Sequence, residues 1–201
     1  MKTARGFTLV ELLVAIGILA MVAVLGWRGL DGIVRARVAL TDQMEMTRGM
    51  QLAFAQLQSD CEHAVDATML GRRPFLLQAE NRITLVRTVF NENEPARLQV
   101  IAYRLVDGQL MRRESSATRD LVELDALWRA SISDTDPTPP VTLQGGVQSM
   151  GVLVWQNNTW KPQPDMTPGG TPTSPITGVQ VVLAARGYPQ PLTKSFLLGS
   201  I

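Results

Sequence analysis

Apolar residues run almost without interruption from Phe7 to Trp27. As an α-helix, this segment of about 21 residues would be about 31 Å long, close to the thickness of the hydrocarbon core of a bilayer. Trp27 ends the segment and Arg28 follows it, and aromatic and cationic residues favour the interface between hydrocarbon and water. The pattern therefore predicts a helix that can cross a membrane.

The helical periodicity continues beyond the apolar segment. Apolar residues recur at spacings of three or four, at Met46, Met50, Phe54, Leu57, Cys61 and Val65. This spacing places them on one side of a helix, and such a stripe packs against the rest of a domain. We predict that the helix continues to about residue 66 as the spine of a domain. Cys61, the single cysteine, can form no internal disulfide, and its place in the stripe predicts that it is buried.

Beyond Gly71 the pattern changes to short runs of branched and aromatic residues separated by turn formers, which predicts an antiparallel sheet. The predicted strands are Phe75–Leu77, Ile83–Phe90, Leu98–Val106 and Gln109–Arg113, followed by a short helix at Asp120–Arg129. Asp107-Gly108 predicts a tight hairpin, because primed turns need positive φ angles.

The prolines of Asp134–Pro140 interrupt regular structure, and a second group of strands is predicted after them. These strands are Val147–Trp155, Val179–Ala184 and Thr193–Leu198, with a turn at Asn157-Asn158. Lys161–Gly178 is rich in proline, glycine and threonine, which predicts a long mobile surface loop. The predicted fold class is α+β, with a long N-terminal helix packed on antiparallel sheet segments.

One acidic residue, Glu11, lies inside the apolar segment. A carboxylate in the hydrocarbon core costs several kcal/mol unless it is paired, so such a residue indicates a function. A short basic leader, Lys2–Gly6, precedes the segment, and Gly6 is a small residue at which a peptidase could cut. Cleavage there would free an amine on Phe7, roughly 6 Å from Glu11 along one helix. We expect the amine of a neighbouring subunit to pair with Glu11 and to set the register of an assembly; a plain signal anchor with an incidental acid is the alternative.

Arg5-Gly6-Phe7-Thr8-Leu9-Val10-Glu11-Leu12-Leu13-Val14-Ala15-Ile16 resembles the class III signal of the type IV pilin and pseudopilin superfamily. The resemblance implies that a prepilin peptidase cleaves between Gly6 and Phe7 and methylates the amine of Phe7. It also implies that Glu11 acts in recruitment into a filament. A pilin-like fold is the implied architecture.

This resemblance divides the chain into three parts. Residues 1–6 are the implied leader peptide, residues 7–28 the transmembrane and filament-core helix, and residues 29–201 the pilin-like globular domain. The implied location is a single pass through the bacterial inner membrane, in contact with its lipid before assembly, with the globular domain in the periplasm.

Four further segments resemble the J branch of the superfamily, the minor pseudopilins J of type II secretion systems. They are Met50–Asp60, Tyr103–Arg113, Val147–Trp160 and Gly178–Gly199. The resemblance implies a place in the pseudopilus tip complex with minor pseudopilins I, K and H, where it primes assembly of the major pseudopilin. This assembly exports folded proteins across the outer membrane, and secreted cargo is a further implied contact.

Two other functions remain open. A minor pilin of a type IV pilus, acting in pilus initiation, adhesion or DNA uptake, would share every N-terminal feature. A membrane-anchored periplasmic enzyme is less favoured, because a nucleophilic triad needs a base and the sole histidine, His63, lies on the predicted spine. We expect no enzymatic activity and no catalytic residue.

Charge and composition exclude further classes. The formal net charge is +1 and no basic stripe occurs, which argues against nucleic acid as a partner. Asp60 and His63 could meet on one helix face, but two ligands make no structural metal site, so we expect them to be polar surface groups. Asn91–Glu94 and Asp134–Asp136 are expected to be solvated loops, although calcium binding is an alternative. No phosphate-binding glycine loop is present, and no cofactor or metal is expected.

Trp155 and Trp160 flank the predicted turn at Asn157-Asn158. Two tryptophans so close together could anchor a protein interface or cap the core of the domain. The sequence favours neither, so the pair is a candidate partner interface.

Overall fold

The computed structural model of the protein describes residues 8–167 and 172–199. The chain divides into two compact units, Met1–Glu45 and Met46–Ile201. Gly6 and Phe7, where cleavage is predicted, lie outside the described residues.

A single α-helix, α1 (Leu9–Glu62), runs through the N-terminal part of the chain. It is long and apolar enough to cross a membrane, and the mean hydropathy of its most apolar 18 residues is 2.7. Every described residue of the first unit is exposed, including the large apolar side chains. The predicted continuous helix is confirmed. It ends at Glu62 rather than near residue 66, and a short 3₁₀ helix, Ala67–Leu70, follows.

Within the second unit, the predicted apolar stripe of α1 forms one side of the core. Met50, Phe54, Leu57 and Cys61 of the stripe are buried, and Ala53 beside them is buried as well. The Phe54 ring lies 6.4 Å from that of Phe196 near the C-terminus. Because a fully buried large apolar side chain contributes about 1.5–3 kcal/mol, this stripe is a main source of stability for the domain.

The first sheet contains five antiparallel strands in the order β1-β2-β3-β4-β5. They are β1 (Leu76–Ala79), β2 (Arg82–Val89), β3 (Arg97–Val106), β4 (Gln109–Glu114) and β5 (Val141–Gly145). The first four match the predicted strands. The fifth was not predicted, because Val141–Gly145 is short and directly follows the prolines.

A second helix, α2 (Leu121–Ser133), connects β4 to β5. Asp120 caps its start by accepting a hydrogen bond from the amide of Val122 at 2.8 Å. The helix packs on β3, with Leu124 and Trp128 buried. The predicted helix is confirmed and extends four residues beyond its expected end at Arg129.

The second sheet contains four antiparallel strands in the order β7-β6-β8-β9. They are β6 (Val147–Gln156), β7 (Thr159–Lys161), β8 (Gly178–Ala185) and β9 (Leu192–Leu197). Gly146, with a φ of 71°, separates β5 from β6 and lets the chain pass from one sheet to the other. The short strand β7 was not predicted, because three residues carry no periodicity.

Both predicted tight turns adopt positive φ angles at their central residues. Asp107 and Gly108 have φ angles of 50° and 74°, and Asn157 and Asn158 have φ angles of 53° and 60°. Primed turns of this kind match the twist of the strands that they join. The hairpins β3-β4 and β6-β7 therefore follow from their turn residues.

The chain between β7 and β8 is a loop in its described part. The buried side chain of Gln156 holds this loop, donating to the carbonyl of Ser174 at 2.9 Å and accepting from the amide of Asp165 at 2.6 Å. Ile176 near its end is buried. The predicted loop is confirmed, it is anchored at these points, and its mobility stays a prediction. The α+β fold class is confirmed.

Candidate functional site

The start of α1 is organised by two residues of the predicted N-terminal site. The amide and the hydroxyl of Thr8 donate to Glu11 Oε2, at 2.9 and 3.0 Å. In return, the amide of Glu11 donates to Thr8 Oγ1 at 3.3 Å. This is a capping box, in which a threonine before the helix and an acid three residues later satisfy each other's backbone donors. The spacing Thr-x-x-Glu at Thr8 and Glu11 is the sequence signal that predicts such a box.

The capping box gives Glu11 two donors but no positive charge. In hydrocarbon, two neutral donors reduce the cost of a carboxylate, and a nearby cation is still needed to compensate it. The side chains around Glu11 are apolar and exposed; they include Leu9, Val10, Leu12 and Leu13. Within the described residues 8–167 and 172–199, Glu11 forms no ion pair.

The second charged feature is a buried cluster around Asp60, and here the expectation of a polar surface group is wrong. The Asp60 side chain is 0% exposed. It accepts hydrogen bonds from Arg87 Nη1 at 2.7 Å, from Arg112 Nε at 2.8 Å and Nη2 at 3.0 Å, and from Tyr103 Oη at 2.5 Å. These partners come from β2, β3 and β4, so the cluster joins the spine helix to three strands.

The charges of this cluster are balanced. Arg112 also binds Glu114 at 2.7 Å, so two guanidinium groups meet two carboxylates. Burial opposes the charged form of Arg112, but hydrogen bonds and attraction to Asp60 outweigh it and raise the pKa of that side chain. Burial and the charge of Asp60 raise the pKa of Tyr103, which keeps the phenol a hydrogen-bond donor. The cluster therefore acts as a structural ion-pair network.

Gln56, one turn earlier on α1, also donates to Asp60 Oδ1 at 3.3 Å, whereas Cys61 and His63 have other surroundings. His63 Nδ1 lies 2.8 Å from the carbonyl oxygen of Ser59, and the ring is half-buried. Cys61 is fully buried, which confirms its prediction, and burial raises the pKa of its thiol to about 12. No group of three potential metal ligands lies together in the part of the chain that the structure describes.

The two acidic segments differ from each other. Asn91–Glu94 is an exposed loop, as expected, and Glu94 pairs with Arg97 at 3.2 Å. In the second segment Asp134 and Thr135 are exposed, as expected, and Asp134 pairs with Arg104 at 2.6 Å. The expectation of a solvated group is wrong for Asp136, which is buried. Asp134 ends α2, so its ion pairs fix the end of that helix.

Trp155 and Trp160 are paired across β6 and β7. Their ring centroids are 5.0 Å apart and the ring planes make an angle of 59°. Both are half-buried, whereas Val154 and Gln156 on either side of Trp155 point inward and are buried. Because side chains alternate along a strand, the tryptophans lie on the outer face of the second sheet and not in the core.

Comparison with known proteins gives two family matches. Residues 28–198 match the family model described as Type II secretion system (T2SS), protein J. Residues 1–27 match the model described as Prokaryotic N-terminal methylation motif. The chain belongs to the type II secretion system protein J family.

As a member of this family, the protein is a minor pseudopilin with an apolar N-terminal helix that suits a membrane anchor. The methylation motif covers Gly6, Phe7 and Glu11, the three residues on which the sequence resemblance depends. The protein J match covers both the Asp60 cluster and the Trp155–Trp160 pair. The family is a structural component of a secretion system, and its members interact with other pseudopilins.

Proposed function

We propose that this minor pseudopilin is part of the complex at the tip of a type II secretion pseudopilus. In this proposal it joins minor pseudopilins I, K and H, primes assembly of the major pseudopilin, and so supports export of folded proteins across the outer membrane. Contact with the secreted cargo is part of the same proposal. Membership of the protein J family supports it.

The methylation motif at residues 1–27 supports the proposed organisation of the chain. A prepilin peptidase removes residues 1–6 by cutting between Gly6 and Phe7, and the amine of Phe7 is methylated. Residues 7–28 then hold the subunit in the inner membrane, and residues 29–201 lie in the periplasm. The apolar, exposed first part of α1 supports this arrangement, because its side chains need either lipid or other helices around them.

The single observation that carries the proposal is the incomplete pairing of Glu11 within the part of the chain that the structure describes. There its side chain accepts hydrogen bonds from the amide and the hydroxyl of Thr8, and both donors are neutral. The amine of Phe7 on a neighbouring subunit would supply the missing positive charge at the same depth in the helix bundle. Recruitment into an assembly would then neutralise a charge that is costly in lipid.

The alternative, a minor pilin of a type IV pilus, is equally consistent with the N-terminal motif. The protein J match over residues 28–198 favours the secretion pseudopilus. A membrane-anchored enzyme would need a histidine or another base beside a nucleophile, and the only histidine lies against the carbonyl of Ser59.

The test is co-purification of the full-length chain from detergent-solubilised membranes of a bacterium that makes the type II pseudopilins. We expect pseudopilins I and K to accompany the wild-type chain and to be lost from the Glu11→Ala variant, with cleavage and folding unchanged. Glu45→Ala is the matched control, because Glu45 is exposed on the same helix outside the apolar segment. Recovery of type IV pilins instead, or equal recovery of I and K with Glu11→Ala, would contradict the proposal.

A further inference from the structure

One face of the second sheet is left without charge. The strand register places the following outward-pointing residues side by side: Ser149, Gly151, Leu153 and Trp155 on β6, Trp160 on β7, Gly178, Gln180, Val182 and Ala184 on β8, and Thr193, Ser195 and Leu197 on β9. We call this set the outer face. None of these residues is charged.

The composition of the outer face is unusual for a surface that meets water. The solvated side of an antiparallel sheet normally carries polar and charged residues, alternating with the apolar residues of the core side. Val152, Val181 and Leu183 on the core side are buried, yet the outer face also carries large apolar groups. Leu197 is 68% exposed and both tryptophans are half-buried. An exposed apolar patch of this size is often a functional surface.

One end of the outer face contains a depression. Trp155, Trp160, Gly178 and Leu197 line an apolar depression of about 240 Å³. Gly178 makes it possible, because a Cβ at that position would lie 3.1 Å from the carbonyl oxygen of Phe196 and 3.3 Å from Trp155 Cβ. Half-buried aromatic residues around a pocket are the usual anchors of protein interfaces.

Two polar groups of the outer face are already paired with each other. Gln180 donates to Ser195 Oγ at 3.0 Å, so each side chain has one hydrogen-bond partner within the face. Covering a polar group that already has its hydrogen-bond partner avoids most of the desolvation penalty. The face can therefore be buried by an uncharged partner surface.

We propose that the outer face docks the globular domain of a neighbouring pseudopilin in the same pseudopilus, through an apolar and uncharged side of that domain. This inference rests on the proposed function. A charged partner is disfavoured, because the outer face offers no opposite charge to compensate it.

The small area of the outer face favours a partner that is tethered nearby. Strands about 4.8 Å apart, with a rise of about 3.4 Å per residue, give the outer face a flat area of roughly 300–350 Å². A stable complex between free proteins buries roughly 800 Å² on each partner. The outer face is too small for that. A neighbour held in the same helix bundle has a high effective concentration, so a small contact suffices to position it.

Photo-crosslinking in cells that make all pseudopilins tests the proposal directly. A photoreactive amino acid replaces Leu197 on the outer face, and Val122 on α2 serves as the matched control, because the two are 68% and 71% exposed. We expect a crosslink from position 197 to the domain of another pseudopilin and none from position 122. A crosslink from 197 only to a secreted protein, or equal crosslinking from both positions, would overturn the proposal.

A pair of charge variants provides a second measurement. Ser195→Lys puts a cation on the outer face beside Gln180, and Ser116→Lys makes the same change at another exposed serine. Because a buried lysine without a partner is costly, we expect Ser195→Lys to lower recovery of the neighbouring pseudopilin by about tenfold. Recovery of the neighbouring pseudopilin with Ser116→Lys should match wild type. The melting temperatures of both variants should also match that of the wild-type chain.

These variants separate the two proposals. If the wild-type chain recovers pseudopilins and Ser195→Lys recovers them equally well, the outer face is not the docking surface, while the proposed function stands. If the wild-type chain recovers no pseudopilin, the proposed function fails, and the docking surface fails with it.

Discussion

Asp60 on α1 and Arg112 on β4 form a buried ion pair with two hydrogen bonds, from Nε to Oδ2 at 2.8 Å and from Nη2 to Oδ1 at 3.0 Å. The two residues are 52 positions apart in the sequence. Arg87 on β2 binds the same carboxylate. The spine helix is thus attached to the first sheet by charge as well as by apolar packing.

We expect Asp60→Asn to destabilise the domain strongly. An amide cannot compensate Arg87 and Arg112, which would then share only Glu114, and losing one partner of a buried ion pair costs about 3–5 kcal/mol. The free energy of unfolding of the full chain in detergent, measured by denaturant titration with tryptophan fluorescence, checks this.

Asp125→Asn is the matched control for this prediction. Asp125 pairs with Arg73 at 2.9 Å through a similar double contact, but the two side chains are 39% and 35% exposed. An exposed pair contributes about 0–1 kcal/mol, so the control should stay close to wild type. If the two substitutions lower the free energy of unfolding equally, burial does not make the ion pairs of Asp60 more important than an exposed pair.

The thiol of Cys61 should be protected in the folded domain. Burial raises its pKa from 9.0 to about 12, and thiolate is the reactive form. Alkylation by iodoacetamide at pH 8.5 should therefore be slow in the native chain and fast in denaturant. Rapid labelling of the native chain would contradict the buried position.

The same pKa shift predicts how stability depends on pH. The folded thiol keeps its proton up to about pH 12, whereas the unfolded thiol ionises near pH 9.0. This contribution to stability is complete below pH 9 and is lost as the pH rises from about 9 to 12. Cys61→Ala should remove it, leaving the contribution of Tyr103, whose pKa is also raised. Denaturant titrations of both chains at pH 8 and pH 10 would measure the difference.

Gly6→Val should leave the uncleaved precursor in the membrane, because the predicted cut requires a small residue before Phe7. The mobility of the chain on denaturing gels and the mass of its N-terminus check this. Gly17→Val is the control, since it is the same substitution within α1, where a Cβ meets no atom within 4 Å. Normal processing of Gly6→Val would refute the cleavage site.

Gly49 allows α1 to lie close to β5. A Cβ on Gly49 would lie 1.5 Å from Gln144 Oε1, so Gly49→Ala must displace that side chain from its hydrogen bonds to Met46 Sδ and the carbonyl of Gly145. Alanine favours helix by about 1 kcal/mol over glycine, but the lost contacts oppose this gain. In a Gln144→Ala background, Gly49→Ala should therefore become stabilising.

Gly32→Ala provides the control for the helix propensity alone, because a Cβ on Gly32 meets no atom within 4 Å. A double-mutant cycle of unfolding free energies measures the coupling between Gly49 and Gln144. If Gly49→Ala changes the unfolding free energy equally with and without the Gln144 side chain, the close approach of α1 to β5 does not affect stability.

Much of the fold was predictable because its signals are local. The stripe from Met50 to Cys61 has the period of a helix. The strands β2, β3 and β4 are predicted by the branched and aromatic residues within them and by the Asp107-Gly108 turn. β5 and β7 were missed, because they depend on neighbouring strands rather than on their own pattern.

The sequence by itself determined the apolar anchor helix, its acid at Glu11 with the leader before it, and the family resemblance, since these features are contiguous along the chain. Only the tertiary structure decided that Asp60 is buried between two arginines, and that Trp155 and Trp160 lie on an uncharged outer face. The physical reason is that burial and ion pairing depend on residues brought together by the sheets from distant positions. No local periodicity encodes such contacts.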